Sequence, residues 1–167
     1  MKYTSAEAAK LLRSLNEEHD TLLYRENQSK SFVAALSEDI ESVRPEYDYE
    51  STQQMLEETE RKIRVVKHAI NLFNATHKVP GFDMTIDEIL VFIPQLSARK
   101  SSLAQLAGVL PKSRERGGMQ SNIIDYRYAN YDVNKAGVDA KKASDLLAKA
   151  QTALDVVNTT ETMEIEF

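Results

Sequence analysis

The feature that most constrains the fold is an apolar repeat near the C-terminus, between Asp132 and Asn158. Its apolar positions alternate in steps of three and four residues, which is the spacing of a coiled-coil helix. We name this set the alanine seam: Val133, Ala136, Ala140, Ala143, Leu147, Ala150, Leu154 and Val157. Because small side chains let another backbone approach closely, the seam predicts a helix that packs tightly along a neighbouring element.

The N-terminal part, residues 1–78, predicts a long antiparallel helical hairpin. Thr4 and Glu7 have the spacing of a capping box, which starts a helix. A stripe of helical period follows: Ala8, Leu12, Leu15, His19 and Leu22, then Val33, Leu36 and Ile40. Only Pro45 clearly stops it, so we expect the first helix to run from about Ser5 to Val43.

The second helix of the hairpin is expected to begin near Glu50. Its apolar positions again have helical period: Leu56, Thr59, Ile63, Val66, Ile70 and Phe73. A short connection between two long helices indicates that they pack antiparallel.

A third helix is expected over residues 84–110. Pro80 and Gly81 fit the two central positions of a type II turn, and Thr85 with Glu88 forms a second capping box. Pro94 lies inside the predicted helix and is expected to kink or split it.

Residues 121–167 predict a strand, the alanine-seam helix and a second strand. Residues 112–120 form a basic, glycine-containing loop, after which Ile124, Tyr126 and Tyr128 alternate as in a strand. Met163 and Ile165 alternate in the same way near the C-terminus. The two strands could pair in parallel across the helix or pair with another subunit. The expected fold is mainly α (α+β), a single domain of residues 1–167 with a small two-strand β element.

Composition excludes several classes of protein. The 167 residues contain no cysteine, so disulfides and cysteine nucleophiles are ruled out, and the formal charge of −5 does not favour general nucleic-acid binding. The first ten residues lack the apolar core of a signal peptide, and no apolar run approaches the ~20 residues of a membrane span. A cytoplasmic location is therefore expected.

Two histidines are weak candidates for metal ligands. His19 lies on the stripe of the first helix and His77 near the end of the second, and an antiparallel hairpin would bring these regions together. Neither histidine belongs to a His-x-x-x-His or Glu-x-x-His pair. No metal or other cofactor is therefore expected, and hydrogen-bonded histidines on the helix contact are the preferred interpretation.

A polar cluster is predicted where the second helix meets the third. Arg99 follows Leu96 by one turn, so it lies near an apolar stripe and its guanidinium needs acceptors. The side-chain amides of Asn71 and Asn74 could supply them. The cluster would set the packing angle of the helices or bind a ligand.

A phosphate contact is the second candidate site. Lys112, Arg114 and Arg116 bring three cations into the basic loop, although no interleaved aromatics or nucleic-acid motif accompany them. The nearby tyrosines, Tyr126, Tyr128 and Tyr131, are interpreted as core or interface residues.

The order of these parts resembles the septicolysin-like family of small, mainly helical bacterial proteins of unassigned function. The resemblance rests on the segment Ile70-Asn71-Leu72-Phe73-Asn74, on Leu96-Ser97-Ala98-Arg99-Lys100 and on the short tail after Asn158. It implies that Asn71, Asn74, Arg99 and Asn158 are the family's polar residues and that the fold is helical. It implies no catalytic residue, and Thr159 stands where the family often has tryptophan.

No set of residues in the chain has the pattern of a known catalytic site. We therefore expect a non-enzymatic helical assembly or protein-interaction module that forms a homo-oligomer, with itself and another protein as its partners. The alternative is a ligand or nucleic-acid binding protein that uses Asn71, Asn74 and Arg99 together with the basic loop of residues 112–116.

Overall fold

The computed structural model describes residues 1–115 and 125–167, and in them the chain is mainly helical with two small antiparallel sheets. The predicted fold class, mainly α with a small β element, is confirmed. The chain forms two compact units, unit 1 of Met1–Thr76 with Val157–Phe167 and unit 2 of His77–Val156. The single domain of residues 1–167 stays a prediction.

Unit 1 is built on a helical hairpin. In chain order its elements are β1 (Lys2–Thr4), α1 (Ser5–Ser29), α2 (Ile40–Val43), α3 (Tyr49–Thr76), the last residues of α5 (Val133–Thr160) and β4 (Thr162–Glu164). The predicted capping box starts α1: the Thr4 backbone N–H donates to the Glu7 carboxylate at 2.8 Å, and the Glu7 N–H donates to the Thr4 hydroxyl at 3.3 Å.

The two long helices run antiparallel, as predicted. His19 Nε2 of α1 lies 3.4 Å from a carboxylate oxygen of Glu60 in α3, and Gln53 Nε2 of α3 donates to Glu26 of α1 at 2.7 Å. The side chains buried in the hairpin belong to the predicted stripes: Ala8, Leu15 and Leu22 of α1, and Leu56, Thr59, Val66 and Phe73 of α3. The buried Thr59 hydroxyl is satisfied by the Met55 carbonyl at 2.8 Å.

The predicted extent of the first helix is wrong, because α1 ends at Ser29 and only α2 is helical between it and α3. The pairing of His19 with Glu60 and of Gln53 with Glu26 leaves α3, which begins at Tyr49, no residues to oppose a helix beyond residue 30. A helix gains most of its stability from packing an apolar face. The stripe beyond Ser29 has no part of α3 to pack against, so packing does not stabilise it as a helix.

The terminal strand forms a sheet that the sequence did not predict. β4 pairs antiparallel with β1, with Tyr3 opposite Met163. Met163 and Ile165 are buried, as their alternation indicated. Of the two pairings that the sequence left open, the parallel pairing across the helix does not occur, because β4 and the strand at Tyr126 belong to different sheets.

Unit 2 begins with a tight turn that orients the next helix. The Phe82 N–H donates to the Val79 carbonyl at 3.1 Å and Gly81 has φ of 81°, so the predicted type II turn at Pro80 and Gly81 is confirmed. The second capping box, formed by Thr85 and Glu88, starts α4 (Ile86–Ala107).

Pro94 does not split α4, which is continuous across it. Ile89 and Leu96, which flank the proline, are both buried. Packing on both sides therefore offsets the helical hydrogen bond that Pro94 cannot make.

The rest of unit 2 consists of a short ribbon and the seam helix. β2 (Lys112–Arg114) pairs antiparallel with β3 (Tyr126–Tyr128), and α5 follows. Residues 112–114, predicted as loop, are therefore a strand. The alanine seam faces inward: Ala136, Ala143, Leu147, Ala150, Leu154 and Val157 are buried. In the described residues, no helix has the length and apolar character needed to span a membrane.

Candidate functional site

The ribbon of β2 and β3, here called the β ribbon, separates its side chains into two faces of opposite character. Lys112 lies opposite Tyr128 and Arg114 opposite Tyr126, while Ser113 lies opposite Arg127. Because directly opposed residues share a face and successive residues alternate, two cations and two tyrosines lie together on one face. We call this the aromatic face.

The aromatic face is open and positively charged. Tyr126, Tyr128, Lys112 and Arg114 are all exposed, and the Lys112 ammonium lies 4.1 Å from the ring centre of Tyr126 and 5.4 Å from that of Tyr128. Within residues 1–115 and 125–167 neither Lys112 nor Arg114 forms an ion pair with a carboxylate. The face therefore carries two positive charges beside two accessible rings.

On the opposite face of the β ribbon the charge of Arg127 is neutralised by an ion pair. Arg127 binds the Glu115 carboxylate through two hydrogen bonds, of 2.8 and 2.9 Å. The hydrogen bonds and the positive charge of Arg127 lower the pKa of Glu115 below its ordinary value. Arg127 and Glu115 thus satisfy each other on one face of the β ribbon, and the two cations that form no ion pair within the described residues lie on the aromatic face.

The second notable surface is the connection between α1 and α3, residues 30–48, which we name the hairpin tip. Its large apolar side chains are exposed: Phe32, Val33, Leu36, Ile40 and Val43. Val33 is 94% exposed and Leu36 is 108% exposed, so neither contributes to a core. Exposed apolar groups at this density make the hairpin tip a candidate interaction surface.

Polar contacts hold the hairpin tip against the helices. The Tyr47 hydroxyl donates to Glu26 at 3.0 Å, beside the Gln53 contact to the same carboxylate oxygen. Burial, together with this hydrogen bond, raises the pKa of Tyr47 above its ordinary value. The Arg44 guanidinium lies 5.6 Å from the ring centre of Phe32. The apolar side chains are thus presented on an anchored segment.

The predicted polar cluster is divided between the two units. Asn71, Asn74 and Asn158 belong to unit 1, where Asn71 is exposed and the other two are half-buried. Arg99 is exposed in unit 2, where it lines a cavity of about 310 Å³ with residues of α4 and α5 that include Asp139 and Lys142. The cluster stays a prediction.

The histidines do not form a recognisable metal centre in the part of the chain that the structure describes. His19 lies within 4 Å of two carboxylates, Asp20 and Glu60, and His77 belongs to the other unit. No group of three or more metal-ligating side chains occurs in the described residues.

A larger groove of about 700 Å³ in unit 2 is lined mainly by apolar side chains, among them Phe82, Leu146 and Val156.

The structure describes two of the three cations that were predicted to contact phosphate. Lys112 and Arg114 lie on the aromatic face, whereas Arg116 lies outside the described residues. The sequence pattern predicts a loop at residues 112–120, so it does not indicate that the tyrosines and these cations share a face. The alternation of long side chains at Lys112 and Arg114 around Ser113 was the only signal for the strand. Tyr131 is separate from this face, since its hydroxyl donates to the Leu106 carbonyl at 2.8 Å.

Comparison with known proteins identifies a fold and no function. No family model matches the chain, and no curated protein matches it. The chain is similar in structure to a functionally unknown conserved protein from Corynebacterium diphtheriae, with a TM-score of 0.57 and 16% identity. The match covers 98% of this chain and 100% of that one. At this identity the likeness shows a shared fold alone.

Proposed function

We propose that this chain is a non-enzymatic protein-interaction module that self-associates through its hairpin tip. The observation that carries the proposal is the exposure of five large apolar side chains between residues 32 and 43. Burying one such side chain is favourable by about 1.5–3 kcal/mol, so together they supply a strong driving force for association. The resemblance to septicolysin-like proteins stays a prediction beside this proposal.

The apolar surface extends beyond the tip onto the adjoining helices. Leu23 and Tyr24 near the end of α1, and Tyr49 at the start of α3, are also exposed. A stable interface buries roughly 800 Å² on each partner, so we expect the contact to extend from the tip onto these flanking residues.

A second copy of the chain is the occupant that this surface favours. In a two-fold symmetric dimer the same patch covers itself, so one apolar surface supplies both halves of the contact. The tip carries two cations, Lys30 and Arg44, against five carboxylates, Glu38, Asp39, Glu41, Glu46 and Asp48. Like-charge repulsion therefore opposes the apolar contact, so we expect added salt to strengthen the association.

The test is a Val33→Ser, Leu36→Ser double variant, followed by mass measurement in solution over a range of concentrations. We expect the wild type to form an oligomer and the variant to associate more than about 100-fold more weakly, approaching the 18.9 kDa monomer. Because both side chains are fully exposed, the free energy of unfolding of the isolated chain should change by no more than about 0.5 kcal/mol.

Leu72→Ser provides the matched control, because Leu72 is 56% exposed on α3 but far along the helix from the tip. It should leave the oligomer unchanged. A wild-type chain that stays monomeric at high concentration would refute self-association. An oligomer unaffected by the double variant would show that another surface holds it together.

A further inference from the structure

We propose that the aromatic face of the β ribbon binds single-stranded nucleic acid, with bases stacked on Tyr126 and Tyr128 and phosphates beside Lys112 and Arg114. The inference is independent of the hairpin tip, which belongs to the other unit.

The exposure of the two tyrosines is the first argument. Tyrosines in strands are common because they pack against a core, yet Tyr128 is 63% exposed and Tyr126 is also exposed. Neither hydroxyl forms a hydrogen bond within the residues that the structure describes. The rings are therefore presented as flat, accessible surfaces, which is what base stacking requires.

The placement of charge is the second argument. Lys112 lies directly opposite Tyr128 and Arg114 directly opposite Tyr126, so each ring has a cation beside it on the same face. The third cation of the β ribbon, Arg127, is neutralised by Glu115 on the opposite face. Positive charge and aromatic rings thus coincide on one face, as in proteins that track a single strand.

The Lys112 ammonium now lies on the Tyr126 ring, where it forms a cation–π contact. A base that stacks on this ring takes the place of the ammonium. The flexible lysine side chain can then move aside and pair with the phosphate of the same nucleotide. Binding exchanges one weak contact for stacking and an ion pair.

A single strand suits this surface better than a duplex. Unpaired bases expose the faces that stack on aromatic rings, whereas paired bases are already stacked on each other. The chain has a formal charge of −5, so non-specific attraction to the dense phosphates of a duplex is weak. Two rings and two cations engage about two nucleotides.

Binding can be measured by fluorescence anisotropy with the full chain and a labelled oligothymidylate of about ten nucleotides. We expect unlabelled single strand to compete and a duplex of equal length to compete poorly. With two cations, the slope of log K against log salt should be about −1.4 between about 50 and 200 mM salt, and the Lys112→Gln, Arg114→Gln variant should reduce it towards zero.

The stacking step is tested by two substitutions at one position. Tyr128→Leu keeps an apolar side chain but removes the ring, and it should weaken binding roughly 5- to 150-fold. Tyr128→Phe keeps the ring and should retain the affinity, which distinguishes lost stacking from a disrupted strand. Phe167→Leu is the control, because Phe167 is 49% exposed and belongs to neither proposed surface, so the loss of its ring should leave the affinity unchanged.

Three results would overturn the proposal. They are the absence of binding at low salt, competition by duplex or heparin equal to that by single strand, and unchanged affinity in Tyr128→Leu. Equal competition by heparin would show that charge alone attracts the probe. None of these results bears on the oligomeric state, so failure here is distinguishable from failure of the hairpin-tip proposal.

Discussion

Replacing Ala150 by leucine tests whether the alanine seam is as tightly packed as its burial indicates. Ala150 is 0% exposed, and the seam residues on either side of it, Leu147 and Leu154, are buried as well. Ala148, two positions earlier on the same helix, is exposed and provides a control with the same chemical change.

The size of the effect follows from the space at each position. At Ala150 the three added carbon atoms have no solvent to enter, so they must displace packed neighbours at a cost of about 1–3 kcal/mol. At Ala148 the leucine side chain extends into solvent, and helix propensity changes by only a few tenths of a kcal/mol. For a chain of this length each kcal/mol lowers the melting temperature by about 2–4 °C.

Thermal unfolding followed by far-UV circular dichroism measures the difference. We expect Ala150→Leu to melt about 2–12 °C below the wild type and Ala148→Leu to melt within about 1 °C of it. Ala143→Leu should lower the melting temperature less than Ala150→Leu does, because Ala143 borders the cavity of about 310 Å³ beside Arg99, where the larger side chain has space. If the Ala150 and Ala148 variants melt at the same temperature, the seam does not pack tightly and the reasoning is wrong.

Two further substitutions test local features. Gly81→Ala should destabilise the chain by about 1–2 kcal/mol, because Gly81 has φ of 81° and an added Cβ meets no atom within 4 Å, so backbone strain alone acts. Gly108, with φ of −82°, is its control, and Gly108→Ala should be neutral or stabilising in urea unfolding. For the predicted polar cluster, a double-mutant cycle on Asn74→Ala and Arg99→Ala should give a coupling energy of about 0.5–3 kcal/mol, and strictly additive effects would exclude the cluster.

Features governed by neighbouring residues could be predicted from the sequence alone. The two capping boxes and the turn at Pro80 and Gly81 depend on side chains a few residues apart, so their residue types are sufficient. The apolar period of the seam likewise predicts which face of α5 is buried, since helical geometry relates spacing to direction. The mainly helical class follows from these local rules.

Features that depend on distant parts of the chain were decided by the tertiary structure. The stripe that continues through Val33 and Leu36 has helical period, yet α1 ends at Ser29 because α3 offers nothing to pair with beyond that point. The alternation of Met163 and Ile165 predicts β4, but β1 is only three residues long and has no clear pattern of its own. It is a strand because it pairs with β4 from the other end of the chain.

The aromatic face likewise depends partly on local sequence and partly on the tertiary structure. The sequence contains Lys112, Arg114, Tyr126 and Tyr128, but its pattern predicts a loop for the cations and core or interface positions for the tyrosines. The antiparallel register of β2 with β3 brings them onto one exposed face. Strand alternation is local, but register depends on how two segments meet, and a shift of one residue would move the tyrosines to the face opposite the cations.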